Sequence, residues 1–82
     1  MSDPKPVVIV YTLEHCPRCK ILKRMLEKLE VPYSEVDAMA HASHLTRMGF
    51  MEVPVIEIDG ELYSFESGTQ LVGLLKEKGL VF

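Results

Sequence analysis

Apolar residues fall along the chain in two rhythms, and the switches between them mark the elements. Val7-Val8-Ile9-Val10-Tyr11 is apolar at every position and rich in β-branched side chains, the pattern of a strand covered on both faces. From Pro17 the rhythm changes. Ile21, Leu22, Met25, Leu26 and Leu29 recur at intervals of three and four, with basic residues between them, which predicts an amphipathic helix. Proline suits its first position because that N–H has no helical partner anyway. Val31-Pro32 stops it, since the residue before a proline avoids helical angles. Tyr33 to Val36 reads as a second strand, and Asp37 is placed to cap a helix from Ala38 to Met48 that Gly49 closes. Pro54 to Ile58 and Glu61 to Phe65 read as two more strands, joined by the hairpin signal Asp59-Gly60. Ser67 caps a last helix, with Leu71, Leu74 and Leu75 on its apolar side and Gly79 at its end. The order is β-α-β-α-β-β-α, an α/β class with the first two strands parallel and the last two a hairpin.

Composition narrows what this order can be. Eighty-two residues, 48% hydrophobic and 26% charged, fit one globular domain over 1–82, with residues 1–6 a loose lead-in, and exclude disordered or collagen-like chains. A domain of this size buries only about 60–70% of its unfolded surface, so chemistry has to sit near the outside. A net charge of −3 argues against nucleic acid as a partner. The charge is unevenly spread. Arg18, Lys20, Lys23, Arg24 and Lys28 gather in one stretch, and Glu52, Glu57, Asp59, Glu61 and Glu66 in another. No apolar run approaches the roughly 18–20 residues that span a bilayer, and the first residues are polar, so no membrane association and a cytoplasmic location are expected. Leu80-Val81-Phe82 is expected to fold back on the core of a monomer.

In that reducing compartment two cysteines at Cys16-Pro17-Arg18-Cys19 point to catalysis or metal binding rather than a structural staple. Their place matters more than their spacing. They fall where the first strand hands over to the first helix, so Cys16 meets unpaired N–H groups and the positive end of the helix dipole, which favour a thiolate. Cys19 lies one turn on, within reach of a mixed disulfide on Cys16. A zinc site needs four ligands, and no spacing rule brings His41 and His44 to this pair, so no metal is expected. His15 is either an exposed loop residue or a tuner of the thiolate. The Val53–Pro54 bond is either a trans bond opening an edge strand or a cis bond fixing a tight turn.

With Tyr11-Thr12, Cys16-Pro17-Arg18-Cys19, Glu52-Val53-Pro54 and Asp59-Gly60 in this order, the chain resembles a dithiol glutaredoxin from Val7 to Gly79. It shares the same frame with the NrdH-type redoxins, small reductants of ribonucleotide reductase. The resemblance implies a thioredoxin-like fold, a four-stranded mixed sheet in order 2-1-3-4 flanked by three helices. It also implies a cis Val53–Pro54 opposite Cys16, with the Val53 backbone free to pair with an extended substrate. The activity it implies is thiol–disulfide oxidoreduction and electron transport. Cys16 would attack protein or glutathione mixed disulfides, and Cys19 would close a disulfide bond with it. No cofactor is expected to be bound; electrons would come from glutathione as co-substrate or from a flavoprotein reductase.

Three departures stand against that frame. Glutathione-using members commonly carry lysine where this chain has Leu13, a Gly-Gly pair where it has Ser64-Phe65, and aspartate where it has Ser67. Arg18 and the N–H groups near Ser67 are the remaining candidates for glutathione carboxylates. The alternatives are an NrdH-like electron donor recharged by a flavoprotein reductase, and a glutaredoxin that binds an iron–sulfur cluster between two subunits. Pro17 and the missing handles speak against the second.

Overall fold

Val8–Thr12 forms β1, and its alternation decides the layers. Val8 and Val10 point to one face of the sheet and Ile9 and Tyr11 to the other, and each face meets its own apolar cluster. The structure is a computed structural model describing residues 7–80. The expected lead-in over 1–6, and Val81 and Phe82 of the tail, lie outside the described residues. β1 pairs in parallel with β2 (Ser34–Asp37) and antiparallel with β3 (Val55–Ile58), which pairs antiparallel with β4 (Glu61–Ser64). The strand order is therefore 2-1-3-4.

On one face, α1 (Pro17–Lys28) and α3 (Gly68–Glu77) bury Leu22, Leu26, Leu71, Leu74 and Leu75 against Val8, Val10, Ile56 and Ile58. Gly68 opens α3 hard against Met25, where an added Cβ would meet the Met25 Cε at 3.0 Å. On the other face Ala38 and Leu45 pack on Tyr11 and Val55. This is the thioredoxin-like arrangement that the resemblance implied.

The helix ends share one device. After α1, Glu30 N–H donates to the Glu27 carbonyl and Val31 N–H to that of Leu26, at 3.1 and 2.9 Å. After α2 (Ala42–Arg47), Gly49 and Phe50 donate to Thr46 and Leu45. After α3, Gly79 and Leu80 donate to Lys76 and Leu75. Each is the paired bond of a Schellman stop, and each puts an apolar residue just past the end: Val31, Phe50 and Leu80. Leu80 packs against the larger cluster, so this residue of the tail does fold back.

Some boundaries differ from the sequence pattern. α1 ends at Lys28, before Val31-Pro32, because Glu30 turns to a φ of +58°. Ile21 belongs to its solvent side at 51% exposure; Cys19 takes the buried position instead. The helix expected from Ala38 to Met48 is two pieces, a 3-10 turn over Ala38–His41 and α2. The Asp37 carboxylate caps the first piece by accepting the Met39 N–H at 3.0 Å. Only Ala38 and Leu45 are buried in this segment, so packing does not enforce one continuous helix. His41 interrupts it, with its ring edge-on to Tyr11. Phe65 leaves β4 and turns into the core.

Candidate active site

The turn Leu13–His15 carries the chain from β1 to α1, and it ends by setting Cys16 as the N-cap of that helix. Cys16 keeps an extended backbone (φ −102°, ψ 107°), and its carbonyl accepts the Lys20 N–H. Its sulfur faces the open end of the helix. The Cys16 Sγ accepts the backbone N–H of Cys19 at 3.3 Å and the Cys19 thiol itself at 2.6 Å. Both cysteines are free. A sulfur anion at Cys16 thus has two donors aimed at it and the positive end of α1 beneath it.

The two sulfurs are not equivalent. Cys16 is half-buried at the mouth of the site, whereas Cys19 is 1% exposed. The pair opens the helix, but only Cys16 stays at its accessible end. Cys19 lies three residues before Leu22 and seven before Leu26, and the sheet that covers those leucines covers it with them. Burial pushes the Cys19 thiol up to about 11, and its hydrogen bond to Cys16 adds to the effect.

That shift has a stability consequence. A thiol that ionises at about 11 when folded and at the ordinary 9.0 when unfolded stabilises the fold below pH 9. The contribution is lost as pH rises through 11. Urea midpoints of the reduced protein are expected to fall over that interval more steeply than those of Cys19→Ala. Tyr11, pushed to about 12 by burial and by its bond to Glu57, loses stability in the same direction in both proteins. The difference between them isolates Cys19, and parallel curves would refute the assignment.

Arg18, Val53, Pro54 and Ser67 lie on the side of the pair away from β2. Arg18 donates to the carbonyl of Phe65, stands over the Phe65 ring at 5.8 Å and lies 4.0 Å from the Glu52 carboxylate. It ties the start of α1 to the loop before β3 and to the exit from β4. The Val53–Pro54 bond is cis, as the resemblance implied. Pro54 is buried and Val53 half-buried; the ladder of β3 starts at Val55, which leaves Val53 outside it. Ser67 is exposed and caps α3, its hydroxyl accepting the Gln70 N–H at 3.1 Å.

On the β2 side a cleft of about 700 Å³ opens beside the cysteines, lined among others by Thr12, His15, Cys16, Cys19, Lys23 and Glu35. His15 is exposed there at a φ of +58°. Thr12, Lys23 and Glu35 were not singled out as site residues from sequence. The available signal was Lys23 standing one turn beyond Cys19; nothing local tied β2 to that turn. Among the described residues no group of three or more His, Cys, Asp or Glu is arranged around a metal. Nor is any helix among them long and apolar enough to cross a membrane.

Comparison with known proteins bears on the fold and the family. The family model described as Glutaredoxin matches residues 8–63. Among solved structures, the thioredoxin-like protein BC3987 is 33% identical over 83% of this chain and 99% of its own, with a TM-score of 0.69. The glutaredoxin-like NrdH-redoxin from Escherichia coli is 21% identical over 82% of this chain and 92% of its own, with a TM-score of 0.72. A buckwheat glutaredoxin in complex with glutathione is 20% identical over 94% and 83%, with a TM-score of 0.68. No curated protein sequence matches the chain.

Proposed function

The chain belongs to the glutaredoxin family, whose general activity is thiol–disulfide redox chemistry, and on that premise we propose that it is a dithiol–disulfide oxidoreductase acting on protein disulfides or glutathione mixed disulfides. One observation carries the reading. The Cys16 sulfur sits at a helix N-cap with two donors on it, and a buried partner sulfur lies 2.6 Å away. In the first step the Cys16 thiolate attacks one sulfur of the substrate disulfide. That bond breaks, the leaving sulfur takes up a proton, and a mixed disulfide remains on Cys16. Cys19 then gives up its proton and attacks the Cys16 sulfur. The second substrate thiol departs and a Cys16–Cys19 disulfide forms, so two electrons have passed to the substrate. Val53, outside the ladder beside the cis bond, is the strand edge on which an extended substrate segment would pair, next to Pro54.

The electron donor is the finer question, and the state of Arg18 favours a flavoprotein reductase of the kind that serves NrdH-like redoxins. The guanidinium already holds the Phe65 carbonyl and faces Glu52, so a glutathione carboxylate would have to compete for it with groups of the chain itself. Phe65 fills core space where glutathione users keep open glycine backbone. Ser67 spends its hydroxyl on its own helix. Disulfide reduction with NADPH and thioredoxin reductase is expected to run at least about tenfold faster than with NADPH, glutathione and glutathione reductase, the scale of losing one or two charge-assisted contacts to a tripeptide. Faster turnover with glutathione would reverse the donor assignment while leaving the dithiol chemistry in place.

A further inference from the structure

The second step sets a problem that the pair alone does not solve. Cys19 must ionise to attack, yet it is buried, and burial opposes a negative charge on it. The cleft on the β2 side is where that charge meets help. Titratable groups reach it from three directions: Glu14 and His15 from the turn, Cys16, Lys20 and Lys23 from α1, and Glu35 and Asp37 from β2. Lys23 alone among the cations is both four residues from Cys19 on the same helix and held in place. Its ammonium donates to the Glu35 Oε2 at 2.9 Å, and the same oxygen accepts the Thr12 hydroxyl at 2.6 Å. Thr12 is 5% exposed at the end of β1, so the anchor of this chain of bonds is part of the sheet.

We propose that Lys23, tethered through Glu35 to Thr12, is a positioning residue for the second half of the exchange: from along the cleft its ammonium steadies the negative charge on the Cys19 sulfur as that sulfur attacks Cys16. The inference rests on the dithiol reading above and adds a residue to it. The Cys19 proton leaves to water in the cleft, the Cys19–Cys16 bond forms, the bond from Cys16 to the substrate breaks, and the departing thiolate takes a proton from water. The charges of the tether suit the task. Hydrogen bonds from Thr12 and Lys23 hold the Glu35 carboxyl below its ordinary range, so it stays ionised and anchors the cation. The bond to Glu35 in turn raises Lys23, which therefore remains charged throughout the pH range in which the thiol works. Lys23 also acts on Cys19 in the required direction, favouring its ionised form.

The neutral disulfide 4,4′-dithiodipyridine tests this, because each thiol that reacts releases one chromophoric thiopyridone. The reduced protein is expected to release two in stopped flow: one in a phase that scales with probe concentration, when Cys16 attacks, and one in a phase that does not, when Cys19 resolves. Lys23→Gln is expected to slow the second phase about five- to tenfold at pH 7, the effect of one charge a helical turn away in partly solvated surroundings, and to move its pH midpoint upward. Lys23→Arg should restore it to within about twofold, and Arg24→Gln, the same loss of charge on the same helix but off the cleft, should leave it unchanged. A second phase in Lys23→Gln that matches the parent protein at every pH, or an equal slowing in Arg24→Gln, overturns the role of Lys23. Release of a single thiopyridone by the parent protein overturns the dithiol reading itself.

Discussion

Replacing Cys16 by serine is expected to abolish disulfide reduction, by a factor on the order of a thousand or more at pH 7. A serine hydroxyl is not ionised there and does not attack sulfur. Cys19 remains, but it cannot substitute. It is 1% exposed, and burial, the largest cause of its raised pKa, still opposes the anion when the Cys16 sulfur is gone. Cys19→Ser should behave differently. The attack by Cys16 survives, because the N-cap geometry and the end of the helix remain, but the reaction stops at a mixed disulfide. Mass spectrometry of Cys19→Ser after exposure to a disulfide-bonded protein should find a one-to-one covalent adduct, while Cys16→Ser shows none. Residual turnover above about a tenth in Cys16→Ser, or an adduct on Cys19, would mean that the attacking sulfur has been misassigned.

Leu22→Ala is expected to have the largest effect on stability, because the helix that presents both cysteines is held down at that residue. Leu22 is fully buried between Cys19 and Leu26, facing the sheet. Truncating such a leucine costs about 2–5 kcal/mol, the lost transfer energy plus that of the cavity left behind. A domain of this length has only about 4–12 kcal/mol in total. Each kcal/mol corresponds to roughly 4–8 °C in Tm at this size, so a drop of about 8–40 °C is expected in a thermal melt. Exchange chemistry measured well below that melt should remain, since Leu22 does not line the cleft. A loss under about 5 °C would mean that the site collapses around the missing side chain. Ile21→Ala is the internal contrast: next in sequence but half exposed, it should move Tm by no more than a few degrees.

Much of this molecule follows from local rules that read directly from residue order. The two-faced strand β1, the stripe of leucines on α1 and α3, the turn at Asp59-Gly60 and the capping residues Asp37 and Ser67 are each decided by neighbours within a few positions. At Asp59 and Gly60 the backbone takes φ of +52° and +86°, the left-handed pair that a tight hairpin turn demands. The position of Cys16 at a helix start belongs to the same class. Its N–H partners come from its own next turn, and no distant residue is needed to bring them there.

What failed locally failed for want of a partner. The segment from Ala38 to Met48 has helix-forming residues but only two buried anchors, and contact with Tyr11 on another strand divides it. The apolar rhythm of α1 places Ile21 in its stripe and passes over Cys19, whereas the sheet beneath buries Cys19 and leaves Ile21 in solvent. Arg18 looked free to receive a carboxylate until the chain brought Phe65, forty-seven residues away, under it.

Residue order by itself determined the elements, their sequence and the helix-tip placement of the reactive sulfur, because hydrogen bonds and side-chain rhythms of short range set all three. Only the folded sheet decided that the two sulfurs differ in burial, that Arg18 is engaged, and that Thr12, Lys23 and Glu35 meet beside Cys19. Those facts depend on β2 lying parallel to β1, with Thr12 paired to Asp37 across the ladder. Such a register arises from the whole apolar surface being buried at once, and no single stretch of sequence carries it.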